Sequence, residues 1–156
     1  MRVLIVLLLG LMPIVAQALE VGERVAPWTL LDQFEQPYTL NDDTALVLVA
    51  RSMEGGKLVK AVLEGQPKGY LEARKGVFVA DVQRMPALIA KLFAIPAMRD
   101  YSYRVLLDRE GRVASRYPGA EGTVLLLQLE HGRVTAKQEL ADAQALREAL
   151  AEVKAR

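Results

Sequence analysis

The sequence has no cysteine and a single histidine, His131. Without thiols it can form no disulfide, zinc–thiolate site or iron–sulfur cluster, and it can run no thiol exchange. One imidazole is also too few for a histidine-rich metal site, and methionine alone more often fills a core than holds a soft metal. We therefore predict no metal site, no cofactor and no catalytic residue.

The chain also lacks an excess of charge. Lys plus Arg is 20 and Asp plus Glu is 19, which gives a net charge of +1 over 156 residues. No strong field is available to attract nucleic acid, so we expect no nucleic-acid partner. With 52% hydrophobic and 25% charged residues, the composition is typical of one globular domain.

The first 18 residues have the layout of an export signal. Arg2 precedes an apolar run over residues 3–9, Pro13 follows, and Ala16 and Ala18 stand two apart. The run is shorter than the ~20 residues that span a bilayer. We predict cleavage after Ala18, a single domain over residues 19–156, a periplasmic location and no membrane contact after cleavage. An uncleaved anchor is the alternative.

The remaining chain alternates predicted strands and helices. Continuous apolar runs at residues 45–50 and 76–82 indicate strands covered on both faces. Strands at 28–31 and 38–40 predict an N-terminal hairpin, and strands at 123–129 and 133–137 predict a C-terminal antiparallel one. Helices are predicted after Met53, from Pro86, and from an Asp142 N-cap. This order predicts an α/β fold with a central mixed sheet flanked by helices.

The middle of the chain contains a predicted helix, a predicted strand and a segment that the patterns leave open. Apolar residues recur at helical spacing after Pro86, and Pro96 is expected to end that helix. A further strand is predicted at 103–107, whereas residues 112–117 fit either a strand or a short helical turn. The recurring residues are Leu88, Ile89, Leu92 and Phe93.

Several segments, in this order, resemble those of one superfamily. They are an opening at residues 21–30, the strand at 46–50, the strand at 76–82, and the terminal hairpin from Thr123. Together they resemble the thioredoxin-like superfamily, in its peroxiredoxin and thiol–disulfide oxidoreductase branch, over residues 20–154. In that branch a C-x-x-C pair follows the first central strand, and a cis-proline precedes the terminal hairpin.

The chain departs from this family at its reactive positions. Met53 and Gly56 stand where the resemblance implies the two cysteines, and Gly122 stands where it implies the cis-proline. The resemblance therefore implies the fold of a cysteine-less, degenerate member, and thiol–disulfide exchange and thiol peroxidase activity are excluded. The chain also resembles short exported bacterial proteins described as FAD/FMN-containing dehydrogenases, although no G-x-G-x-x-G follows a strand.

The stretch from Arg51 to Lys57 is the main candidate site. It follows a buried strand, where ligands of open α/β sheets bind, and its glycines leave backbone amides free at a helix start. The alternative is a degenerate loop with solvated charges, and a nucleophilic Ser52 would need His131 as its base. The predicted ligand-binding residues are Arg51, Ser52, Gly55, Gly56, Lys57, Gly122 and Thr123.

A second candidate is the segment after Pro96. Arg99, Tyr101 and Tyr103 are residue types favoured at protein contacts, although an ordinary loop is the alternative. The sequence thus predicts a module that binds a partner protein or a small anionic ligand at the former redox site. An oxidoreductase accessory associated with flavin and a structural envelope protein remain the alternatives.

Overall fold

The computed structural model describes residues 19–155, so the predicted export signal lies outside the described residues. Within this range no helix combines the length and the apolar character needed to cross a bilayer.

One seven-stranded mixed sheet organises the described chain, with the strand order β2-β1-β5-β4-β3-β6-β7. Both predicted hairpins are present, and each forms one edge of the sheet. The strands are β1 (Thr29–Asp32), β2 (Pro37–Thr39), β3 (Leu46–Ala50), β4 (Gly76–Asp81), β5 (Leu106–Asp108), β6 (Val124–Glu130) and β7 (Arg133–Leu140).

The helices complete the predicted α/β architecture. α1 (Met53–Leu63) connects β3 to β4, which pair in parallel, and α4 (Ala143–Glu152) follows β7. Between β4 and β5, also a parallel pair, α2 (Ala87–Ile89), a π-helical turn (Ala90–Ala94) and α3 (Ile95–Met98) run on as one segment, here called the 87–98 helix. Short 3-10 turns lie at Glu72–Arg74 and Ala114–Arg116.

Apolar residues cover both faces of the sheet, which explains the unbroken apolar runs of β3 and β4. On one face Leu48 and Phe78 pack in a cluster with residues of α1, α4 and the 87–98 helix. On the other face Val47 and Val79 pack with Trp28 and Tyr117. Trp28 Nε1 donates a hydrogen bond of 2.7 Å to the Tyr117 hydroxyl, and burial raises the pKa of Tyr117.

Pro96 does not end its helix, contrary to the sequence prediction. Proline has no N–H to donate, so a regular α-helical bond to the carbonyl four residues earlier is impossible there. The segment widens instead into a π-helical turn, in which the Ile95 N–H bonds to the Ala90 carbonyl, and α3 continues through Pro96.

The predicted strand at 103–107 is also shorter than expected, because β5 begins only at Leu106. Residues 112–117, which the sequence left open, contain a 3-10 turn. Asp108 holds that turn, since its Oδ2 accepts the amides of Val113 at 2.9 Å and Ala114 at 2.7 Å.

Candidate functional site

The candidate site lies where β3 ends and α1 begins. β3 is the neighbour of β6, with Ala50 opposite Val124. The chain therefore leaves the sheet beside the start of β6, and the loop that contains Gly122 comes close to the first turn of α1. This is the juxtaposition that the resemblance implied for the redox site.

Ser52 joins the two segments. It is the N-cap of α1, and its Oγ accepts the Gly55 amide at 3.2 Å. The same oxygen accepts the Gly122 amide at 3.0 Å. One hydroxyl thus satisfies an open amide of the helix start and fixes the neighbouring loop.

Gly55 is required by close packing. A Cβ at this position would lie 2.6 Å from the Thr123 carbonyl oxygen, whereas a Cβ on Gly56 would meet nothing within 4 Å. The α1 start therefore packs directly on the backbone of the β6 start. Gly122 contributes differently, because its φ of +78° lies in the left-handed region.

The position that the resemblance gives to the first cysteine is open to solvent. Met53 is 65% exposed at the first turn of α1. The Gly122 position differs from the family pattern in conformation as well as in residue type, since residues 19–155 contain no cis peptide bond.

Charges of both signs surround the site. Glu121 pairs with Arg84, which lowers the pKa of the Glu121 carboxyl, and Arg51 lowers it further. The Ala120 amide and the Thr123 hydroxyl donate to Glu139, and these bonds lower the pKa of that carboxyl. The Arg51 charge is therefore partly balanced within the protein.

The structure brings four of the seven predicted ligand residues into one packed unit, namely Ser52, Gly55, Gly122 and Thr123. Their polar groups largely bond one another: Thr123 Oγ1, for instance, lies 2.7 Å from the Ala120 carbonyl and 2.8 Å from Glu139. Gly56 and Lys57 follow on the first turns of α1, and Lys57 is exposed.

A nucleophilic pair of Ser52 and His131 does not exist in this structure. His131 lies in the turn between β6 and β7. β6 has seven residues, so it separates the two by about 20 Å. His131 is exposed, as expected of a turn residue.

The second candidate cluster is only partly at the surface. Arg99 is exposed, and Tyr101 is half-buried, with its ring 5.0 Å from that of Tyr103. Tyr103 itself is 7% exposed and lies in the core, where burial raises its pKa. Of the three predicted contact residues, Arg99 and Tyr101 reach the surface, whereas Tyr103 stacks against Tyr101 from the core.

Sequence reasoning missed the residues that surround the site, namely Arg84, Glu121 and Glu139. Glu139 reaches Thr123 because β7 pairs with β6 through a register shift between Gln128 and Leu129. No residue type in the sequence signals that bulge. Glu121 directly precedes Gly122, so its place in the sequence was a signal that could have been used.

No family model matches the chain. No curated protein matches its sequence either. Solved structures do match its fold over most of its length. A thiol:disulfide interchange protein DsbE from Chlorobium tepidum aligns with a TM-score of 0.59 and 18% identity, covering 86% of this chain and 95% of that one.

Two further structures extend the likeness. A protein disulfide isomerase from Bacteroides thetaiotaomicron aligns with a TM-score of 0.59 and 12% identity, over 86% of this chain and 88% of that one. The peroxidoxin BcpB from Mycobacterium tuberculosis aligns with a TM-score of 0.55 and 21% identity, over 86% and 96%. The neighbours are thus thiol–disulfide oxidoreductases and peroxiredoxins, and this chain has a thioredoxin-like fold without any cysteine.

Proposed function

We propose that this protein is an exported, periplasmic binding module that uses the former redox site to bind a partner protein. The exposure of Met53 carries the proposal. This apolar side chain is 65% exposed at the position of a lost cysteine, beside a loop that Ser52 fixes. Methionine is polarizable and flexible, which suits a side chain that packs against another protein.

The fold neighbours support a protein as the ligand. Their names describe a thiol:disulfide interchange protein and a protein disulfide isomerase. A site that acts on disulfides of other proteins must admit their surfaces. In this chain the same end of the sheet keeps an open apolar side chain at α1, although the thiol chemistry is gone.

A small anion is the second candidate. Arg51, Lys57 and the first amides of α1 favour it, because helix N-termini attract anions. The acidic side chains Glu121 and Glu139 oppose it, and the hydroxyls of Ser52 and Thr123 already bond neighbouring groups. Two cavities of the described chain lie elsewhere: one is lined by residues of β2, β4 and the turn at Glu72–Arg74, and the other by residues of β1 and β5. These observations favour a partner protein.

Photo-crosslinking in intact cells tests the partner. A photoreactive residue replaces Met53, and in a matched control it replaces Val21, which is 57% exposed. Val21 precedes Gly22, whose amide donates to the Val134 carbonyl at the other end of the β6–β7 pair. We expect a discrete protein adduct from position 53, found in the periplasmic fraction, and none from position 21. Equal adducts from both positions, or none from position 53, would contradict the proposal.

Thermal unfolding with inorganic phosphate tests the anion. A partner-binding site predicts the same melting temperature with and without phosphate. A rise that disappears in both Arg51→Ala and Lys57→Ala, but persists in the control Lys154→Ala, would establish the anion site instead.

A further inference from the structure

A gap in the sheet lies beside the first residues of β4. β4 begins at Gly76, but its pairing with β5 begins only at Val79, opposite Leu106. On the other side β4 pairs with β3 from Gly76 onward. Residues 76–78 therefore have a neighbouring strand on one side only, and a strand edge of this kind can pair with another chain.

The chain that precedes β5 is bonded to the turn after β1. The Val105 amide donates to Gln33 Oε1 at 2.9 Å, and the Gln33 side chain is buried. Arg104 Nε donates to Asp32 Oδ2 at 2.8 Å, and Arg104 Nη2 donates to the Pro37 carbonyl at 3.1 Å. These bonds direct residues 104 and 105 toward β1 and β2, which keeps the gap beside β4 open.

Two backbone groups of β4 face the gap. The Lys75 carbonyl accepts from β3 at 3.3 Å, and the Val82 amide donates to β5 at 3.1 Å. Because peptide groups alternate between the two sides of a strand, the Gly76 carbonyl and the Phe78 amide point to the β5 side. Neither group forms a hydrogen bond within residues 19–155. Phe78 is buried, and a buried amide without a partner costs free energy, so the two groups favour a ligand that bonds both.

A cavity of about 310 Å³ occupies the gap and is lined by residues 76–78. Leu71 and Leu106 provide apolar walls, and Tyr38 and Thr44, whose hydroxyls lie 2.6 Å apart, provide a polar one. The volume is at the lower end of the range of about 300–1,000 Å³ that is typical of small-ligand sites. The cavity therefore admits one or two residues of a peptide and no folded surface.

The charged residues that line the cavity are divided along β4. Arg104 lies two residues before Leu106 and thus at the inner end of the gap, and its Nη1 forms no hydrogen bond in the part of the chain that the structure describes. Asp43 and Glu72 are exposed in the turns that precede β3 and β4, at the mouth of the cavity, where Lys75 also lies. The inner end therefore favours an anionic group, and the mouth favours a cationic one.

We propose that this gap binds the C-terminal residue of an extended peptide, which is added beside β4 as a short parallel strand. The N–H of that residue donates to the Gly76 carbonyl, and its carboxylate accepts from the Phe78 amide and from Arg104. A residue bonded in this way runs parallel to β4. Leu106 already occupies the edge beside Val79, so the peptide ends in the gap. Strand addition and capture of a terminal carboxylate are both known modes of peptide recognition.

This site is separate from the proposed partner site. Gly76 pairs with Leu46 at the start of β3, whereas the partner site follows Ala50 at the end of the same strand. The two sites are therefore about 13 Å apart along the strand, and each can be tested without the other.

NMR spectroscopy of the isotope-labelled full chain tests the proposal with a peptide probe. The probe is acetyl-Lys-Ala-Val with a free C-terminal carboxylate. Two matched peptides each lack one interaction: the first has a C-terminal amide, and the second has an N-methyl group on its last residue. The Phe78 amide resonance reports binding in the gap, and the Gly122 amide resonance reports binding at the partner site.

We expect the free-acid peptide to shift the Phe78 resonance saturably and to leave the Gly122 resonance unchanged. Each matched peptide should bind at least about tenfold more weakly, because it loses either the charge of the carboxylate or a hydrogen bond to β4. The proposal fails if the Phe78 resonance does not move at millimolar probe, if the three peptides bind equally, or if only the Gly122 resonance responds.

Two single variants test the orientation of the peptide. Glu72→Gln removes a negative charge at the mouth and should weaken binding of the lysine-containing probe by about two- to fivefold. Glu110→Gln, the same change at an exposed residue just beyond the end of β5, should not weaken it. An equal change in both variants, or no change in Glu72→Gln, would overturn the orientation and the proposal with it.

Discussion

α1 and the 87–98 helix both carry apolar residues at helical spacing, but α1 buries this face whereas the 87–98 helix exposes much of it. Both connect parallel strands, and both contribute to the cluster on the same face of the sheet. α1 buries its apolar residues, among them Val59 and Leu63. The 87–98 helix buries Ala90 and Ile95 but exposes Leu92 and Phe93. Helical periodicity thus predicts that an apolar face exists, and it does not predict what covers that face.

The difference follows from position in the sheet. α1 packs beside α4 and follows β3, whose five residues are all buried. The 87–98 helix leads to β5, which has only three residues. A short strand offers little surface to cover, so the buried Ala90 and Ile95, with the half-buried Met98, close that part of the core.

Truncating one leucine in each helix should give the largest difference in the free energy of unfolding between the buried face and the exposed face. Leu63→Ala removes a side chain that is 2% exposed and should lower the free energy of unfolding by about 2–5 kcal/mol. Leu92→Ala, the matched change at 54% exposure, should stay within about 0.5 kcal/mol of the parent. Denaturant unfolding followed by the fluorescence of Trp28 measures both. Equal losses would show that the 87–98 face is covered within the chain.

Two glycines at the start of α1 allow a second comparison, between a position that packs against β6 and a position that is open. Gly55→Ala would force a Cβ against the Thr123 carbonyl and should destabilise the protein by about 1–3 kcal/mol. Gly56→Ala meets open space and should stabilise it by up to about 1 kcal/mol, because alanine favours helix. The same unfolding measurement applies, and a stable Gly55→Ala variant would contradict the close approach of α1 to β6.

The smallest expected change in stability concerns Glu139 of β7, whose carboxylate accepts hydrogen bonds from Ala120 and Thr123 in the loop that faces α1. Its folded-state pKa lies below the unfolded value. The stabilisation is therefore complete above the unfolded pKa and is lost as the pH falls through the folded one. Glu139→Gln should lower stability by less than about 1 kcal/mol at neutral pH, because the site is exposed. The free energies of unfolding of the parent and of Glu139→Gln should become equal as the pH falls through the acidic range. A difference that stays constant with pH would contradict the role of the carboxylate.

Much of the fold could be predicted from residue patterns. The continuous apolar runs of β3 and β4, the turn at His131 and the Asp142 cap are local signals, and the structure confirms each. The prediction that the helix ends at Pro96 was wrong, because a π-helical turn can accommodate the missing N–H of proline. The bulge in the β6–β7 pair, which brings Glu139 to Thr123, depends on register across strands and has no local signal.

The sequence alone determined that thiol chemistry is absent, because no residue can replace a missing cysteine. It also determined the α/β order, since hydrophobic periodicity follows the geometry of strands and helices. Only the tertiary structure decided that Ser52 bonds Gly122 and that the 87–98 helix faces outward. Both depend on contacts between segments distant in the chain, and only packing sets those contacts.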